Sequence, residues 1–270
     1  MKRLIANADD FGFTPDVNAG IIEAHQRGIL TATTLMANGD AFDDAVRLSR
    51  ANPALDVGCH LVLVGGPSVA RPSELLPPSA GRLAVGVALG RLDIYEELAG
   101  QVSKIISAGI QPTHLDTHKH THLAPPVLRV VLRVSREFGI PWVRRPFDFP
   151  LQGGSGPAPW VQRAAGKAMP LLRRRFERVV LAGGCRMTDH FAGFQLTGRF
   201  RTQELVSLIH ALPGGLTEFM CHPGRCRDQL RHARTRLKQS REHELEALTA
   251  EETKAAIAEA GVILTSYRTL

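Results

Sequence analysis

The stretch RLIANADDFGFTPDVNAGIIEAHQRG, Arg3 to Gly28, reads as one strand followed by one helix. RLIANA is a short apolar run that ends at Asp9 and Asp10. Thr14 then suits a helix N-cap, Pro15 the first helical position and Gly28 the stop. Between them Val17, Ile21, Ile22 and His25 keep helical spacing. The same alternation continues along the chain. TATTLMA (31–37) is rich in β-branched residues and reads as a second strand, followed by a helix from about Asp40 with Asp43 and Asp44 in its first turn. LDVGCHLVL (55–63) is a third strand, and residues 64–90 read as a loop rich in glycine and proline. A helix over 91–108 ends at Gly109, and another starts at Pro125–Pro126 and ends at Gly139. IPWVRRP (140–146) is a strand, 146–159 a proline-rich and glycine-rich loop, and 160–177 a basic helix. TQELVSLIHAL, GLTEFMCHPG, helices over about 236–260 and GVILTSY complete the alternation. In GLTEFMCHPG, Pro223 stops the strand and Gly224 serves a sharp turn. Strands alternating with helices imply a mainly parallel sheet with helices outside. Seven or so such units favour a barrel over an open sheet, so the expected fold class is α/β, a single (β/α) barrel over residues 1–270.

In either architecture the site lies at the C-terminal strand ends. Asp9 and Asp10 close the first strand, His60 lies in the third and His222 closes LTEFMC. THLDTHKHTH, Thr113 to His122, places His114, Asp116, His118, His120 and His122 at every second position. On a strand all five share a face, with neighbours roughly 6.6 Å apart. Metal–nitrogen bonds are only about 2.0–2.1 Å, so a straight strand cannot bring all five to one ion. The remaining ligands must come from elsewhere in the chain.

Composition sets outer limits. Hydrophobic content of 44% and charged content of 22% are ordinary for a globular chain. No segment reads as a signal peptide or a membrane span, so a cytoplasmic location is expected. The four cysteines form no C-x-x-C pair, so a cysteine-rich zinc site is not expected. The net charge of +7 concentrates in Arg173–Arg178 and in residues 223–241. A solvated helix face is the ordinary reading of such runs, and peripheral contact with an anionic membrane is the functional one. Aromatic content of 6% and the lack of a recognition motif argue against nucleic acid.

NADDFG, GCHL, THLDTHKHTH and MCHPG, in that order, resemble the YdjC-type carbohydrate deacetylases. These include chitooligosaccharide deacetylases and the hopanoid-biosynthesis-associated deacetylase. The resemblance runs from Lys2 to the closing GVILTSY. It implies a distorted (β/α) barrel, one divalent metal ion (magnesium or zinc) and hydrolysis of an N-acetyl group on a sugar or glycolipid. The family's logic, with one Asp as base and the next on the metal, makes Asp9 the general base and Asp10, His60 and His118 the metal ligands. One carboxylate and two imidazoles leave coordination positions open. Arg144 is expected to orient Asp9, with Arg145 as the alternative, and His222 to protonate the departing amine. Asp116, His120 and His122 are expected to orient ligands or line the sugar cleft, and His114 to be a core residue. A homodimer is also expected. A metal-dependent phosphoesterase and a non-catalytic sugar- or lipid-binding module remain as readings from other classes.

Overall fold

A computed structural model describes residues 1–149 and 160–270. Eight strands occur among them: β1 (Lys2–Phe11), β2 (Ala32–Leu35), β3 (Asp56–Leu61), β4 (His114–Thr117), β5 (Trp142–Val143), β6 (His190–Ala192), β7 (Gly215–Cys221) and β8 (Val262–Leu264). They form one sheet in the order β5-β4-β3-β2-β1-β7-β6, with β8 beside β1. Every pairing between these strands is parallel. Bridges Trp142↔Arg186 and Asp148↔Phe191 join the two ends of this path, so the sheet curls into a barrel.

The barrel is distorted at β1. One edge of β1 pairs with β7 from Lys2 to Ala8. A strand has only two edges, so β8 and β2 must share the other. β8 takes Lys2 to Leu4 and β2 takes Asn7 to Phe11. β1 is therefore enclosed on all sides, and its residues from Leu4 to Phe11 are buried. Its run Leu4–Ala6, apolar without polar alternation, reflects that enclosure.

Helices cover the outside. The helix Pro15–Arg27 is capped by Thr14, whose hydroxyl accepts the Val17 N–H at 3.2 Å, and it ends at Gly28. The helix Pro125–Glu137 buries Val127, Leu128, Val131, Leu132 and Val134, a stripe at helical spacing that packs on the sheet. A charge at Val131 would sit at the centre of that stripe with no partner.

Several sequence-based boundaries shift. The stretch 64–90 is not all loop, because Ser79 caps a helix over Ala80–Ala88 despite its two glycines. β6 was not expected, since three residues are too few to show a period. The strand expected over 140–146 is only Trp142–Val143, and the basic helix runs over Trp160–Ala182. The loop expected over 146–159 lies, from residue 150 on, outside the described residues. At Gly224 the structure adds a close approach to the turn expected there. A Cβ on Gly20 would lie 2.4 Å from the Gly224 Cα, so the two glycines let the first helix pack backbone to backbone against the turn after β7.

Candidate active site

The expected strand-end residues converge on one cleft of about 710 Å³, lined by Asp9, Asp10, His60, His118, His120 and His222 among others. Four features of the backbone bring them there. Adjacent residues on a strand face opposite ways, yet Asp9 and Asp10 both line the cleft. The β1–β2 register slips between Ala8 and Phe11, and Asp10 has φ 70°, in the left-handed region. That bulge turns Asp10 to the side of its neighbour, at a cost of order 1–3 kcal/mol in backbone strain. His60 sits in β3 beside Asp116 in β4, its register partner. The histidine row stops being a strand at Thr117. It becomes a tight 3-10 segment, His118–Leu123, in which Lys119 (φ 56°) and His120 (φ 51°) are left-handed. His222 follows the end of β7.

Asp10 Oδ1, His60 Nε2 and His118 Nδ1 form a triangle. Its edges are 3.4 Å (Asp10–His60), 3.3 Å (Asp10–His118) and 3.2 Å (His60–His118). Ligand bonds near 2.1 Å place neighbouring ligand atoms ~3.0 Å apart in octahedral and ~3.4 Å apart in tetrahedral geometry. The triangle fits a single ion of that size. Asp10 Oδ1 is also buried with no hydrogen-bond donor among the described residues. A second set that could hold a cation, Asp9, His60 and Asp116, shares His60. The donor set of carboxylate and imidazole suits zinc, magnesium or their neighbours. The electrostatics agree with a cation site. Burial alone would lower the His60 pKa, but the Asp116 charge and its hydrogen bond, with the Asp10 and Asp9 carboxylates nearby, push it up to about 10. His60 thus sits between the carboxylates of Asp10 and Asp116, which favour positive charge at its ring.

Asp116 Oδ1 lies 2.7 Å from His60 Nδ1 and accepts its N–H, which turns Nε2 toward Asp10. Thr34 donates to the other Asp116 oxygen at 3.2 Å. Arg144, not Arg145, faces Asp9. Its Nη1 and Nη2 donate to Asp9 Oδ2 and Oδ1 at 2.8 and 2.7 Å. Nη1 also reaches Asp116 at 2.5 Å, and Nε reaches Glu218 at 2.7 Å. Arg145 turns outward to Glu177 at 2.7 Å and to the Asp189 carbonyl. Burial would raise the Asp9 pKa, but the Arg144 charge, followed by His60, holds it well below the usual carboxylate range. The Asp10 carboxyl is likewise held low against burial, chiefly by Arg241.

His222 Nε2 lies 3.9 Å from Asp9 Oδ2. Its Nδ1 is buried without a partner among the described residues, and its backbone N–H donates to Glu244 at 2.5 Å. Burial pushes the His222 pKa down to about 4, below the ~6.5 of a free imidazole. His120 lines the cleft, with its ring centroid 5.2 Å from that of Phe194. His122 does not line it. It is fully buried between the Thr117 hydroxyl at 2.6 Å and the Arg144 carbonyl at 3.2 Å, where it braces the backbone of Arg144. His114 is in the core, with Nε2 donating to Asn7 Oδ1 at 2.9 Å and its ring stacked on Tyr267.

Two charged residues of the site were missed in the sequence. Glu218 was detectable, since Glu218 and Met220 share one face of β7 and His222 continues that alternation just past its end. Arg241 was not. It belongs to the basic run of 223–241, whose other members are exposed or half-buried, yet it is buried against Asp10 at 2.5 Å. Nothing local marks it out.

The family model described as "YdjC-like protein" matches residues 3–259. A carbohydrate deacetylase of Brevibacillus brevis is 32% identical, with 99% of each chain covered. A carbohydrate deacetylase of Geobacillus stearothermophilus is 35% identical over 99% of this chain and 97% of its own. A solved Enterococcus faecalis protein named for cellobiose-phosphate cleavage is 25% identical, with a TM-score of 0.76 and coverage of 99% of this chain and 98% of that one. With its site at the strand ends of a distorted α/β barrel and its full length matched, this chain belongs to the YdjC-like family.

Proposed function

We propose that this chain hydrolyses the N-acetyl group of an acetamido sugar, borne on an oligosaccharide or a glycolipid, and releases acetate. The observation that carries the reading is the triangle of Asp10, His60 and His118 set beside an arginine-clamped Asp9. Full-length relatives named carbohydrate deacetylases supply the substrate class. Asp10, His60 and His118 would hold one zinc or magnesium ion. Such an ion supplies Lewis-acid polarisation of the acyl carbonyl and a lowered pKa for a water molecule.

The remaining roles fall to the chain's own residues. Asp9 stays ionised because of Arg144, so it can take a proton from the attacking water. Arg144 fixes both its oxygens, which removes rotational freedom that a free carboxylate would have. An amide nitrogen leaves only when protonated. His222 rests neutral, so it must gain that proton within the cycle. Asp9, 3.9 Å away, is placed to pass on the one it took from water. Asp116 holds the tautomer and orientation of His60. Phe194, 53% exposed beside His120, offers an aromatic face to the sugar ring.

Contact with an anionic membrane belongs to the same reading. Among the described residues no helix is long and apolar enough to cross a membrane. Leu171 and Leu172 are nevertheless exposed beside Arg174, Arg175 and Arg178 on one helix. Acetate release from N-acetylated chitobiose and from a glycosylated hopanoid, run beside phosphate release from nitrophenyl phosphate, tests the whole. The expected result is acetate alone, lost on chelation and restored by zinc or magnesium. Phosphate release would point to a phosphoesterase, and sugar binding without turnover to a binding module.

A further inference from the structure

Arg241 is 1% exposed, and a guanidinium cannot shed its charge. Its burial is therefore compensated atom by atom. Nη2 pairs with Asp10 Oδ2 at 2.5 Å, and Nε donates to the Leu237 carbonyl at 3.2 Å. The Phe13 ring centroid lies 6.0 Å from Cζ and covers one face. Nη1 is the exception. It is buried and has no acceptor among the described residues, in a side chain that lines the cleft with Asp9, His60, His118 and His222. Arg144, by contrast, uses all three nitrogens on carboxylates. A buried donor left without an acceptor has lost its water partners and gained nothing in exchange. That loss is recovered if a ligand in the cleft brings the acceptor.

We infer that Arg241 is a catalytic residue whose Nη1 donates a hydrogen bond to the acyl oxygen of the acetamido group. This rests on the deacetylase reading. Nη1 belongs to the same rigid fork as Nη2, which pairs with Asp10 Oδ2, the partner oxygen of the triangle corner Oδ1. The donor therefore lies beside the triangle, in a side chain that lines the cleft together with Asp10, His60 and His118. When water adds to the carbonyl carbon, the C=O π pair moves onto oxygen. When that pair returns, the C–N bond breaks as nitrogen takes the proton that Asp9 drew from the water and passed to His222, so the amine leaves and acetate is the second product. Arg241 keeps its protons throughout. Its Nη1 bond strengthens as the oxygen gains charge, which is the condition for lowering the barrier. The Arg241–Asp10 pair is neutral as a unit, so the donor adds no uncompensated charge to the site.

The test pairs an N-acetyl sugar with its N-thioacetyl analogue, whose sulfur is a poor hydrogen-bond acceptor. Wild type, Arg241→Gln and Arg241→Lys are compared at saturating metal. On the N-acetyl substrate Arg241→Gln should lose ~10²–10³ in kcat with KM little changed, the span for one oxyanion donor. On the thioacetyl substrate the loss should shrink to less than ~10-fold, since the two changes remove the same contact. Calorimetric zinc affinity should stay within about 10-fold of wild type in Arg241→Lys, which keeps a cation on Asp10. Circular dichroism checks that both variants fold, and Arg241→Lys carries the test if Arg241→Gln does not. Equal penalties on the two substrates, a raised KM with kcat unchanged, or zinc affinity lost in both variants would each overturn the inference alone. A wild-type protein that releases no acetate overturns the deacetylase reading and this inference with it.

Discussion

Arg144 binds both carboxylate oxygens of Asp9, at 2.7 and 2.8 Å, from 135 residues along the chain. The same guanidinium touches Asp116 and Glu218, so one buried cation serves three buried carboxylates. Breaking such a pair leaves uncompensated buried charge, which typically costs about 3–5 kcal/mol. The arrangement ties Asp9, the proposed base, to Asp116 beside His60, and both respond to one side chain.

Asp9→Asn keeps the shape of the base and removes its basicity. Metal content should stay near wild type while kcat falls by roughly 10²–10⁴. Atomic absorption on the purified variant decides between two arrangements. If metal is lost together with activity, Asp9 is a ligand, as in the second candidate set with His60 and Asp116.

Asp116 is argued to act through His60, whose Nδ1 lies 2.7 Å away. Asp116→Asn should therefore weaken zinc binding by about 10–100-fold, the usual effect of a partner behind a metal-bound histidine. Competition with a chromophoric chelator measures it. An unchanged affinity would mean that the Asp116–His60 contact does not prepare the ligand.

His222→Ala separates acid catalysis from binding. Loss of most activity on an N-acetyl sugar should accompany a much smaller loss on an aryl acetate, whose phenolate leaves without a proton. Metal content should be unchanged. Equal losses on both substrates would exclude the acid role, and lost metal would make His222 a ligand.

Stability should fall as the pH drops from about 6.5 to about 4. Burial pushes the pKa of His114, His122 and His222 down to about 4 each. Between those limits the unfolded chain binds protons that the folded chain refuses, so this stability is present above 6.5 and lost as pH falls through the folded values. Glu244, pushed up to about 7 by burial, acts in the opposite sense between about 4.5 and 7, whereas His60, pushed up to about 10, contributes stability that is lost only as pH rises from about 6.5 to about 10. His114 is outside the cleft, so His114→Gln isolates one contribution. Its melting temperature should fall less steeply with acid than that of wild type. Parallel slopes would show that His114 is already protonated when folded.

Much of this was determined by the sequence alone. Thr14, Pro15 and Gly28 delimit the first helix through purely local capping, and alternating apolar runs imply parallel strands. Asp9, Asp10, His60 and His222 could be placed at strand ends because a strand's end depends on nearby residues. The histidine row shows where local reasoning stops. Its period of two continues to His122, but the backbone leaves the strand after Thr117 and turns left-handed at Lys119 and His120. His120 therefore reaches the cleft while His122 is buried behind Arg144. Tertiary packing decided that, since the sheet edge at β5 offers only two paired residues beside β4. It also chose Arg144 over its neighbour Arg145, and Arg241 from seven similar basic residues in 223–241. Their charges are alike in sequence. Only the position of distant carboxylates, in strands hundreds of residues away for Arg241 and Asp10, determines which guanidinium can be buried without an uncompensated charge.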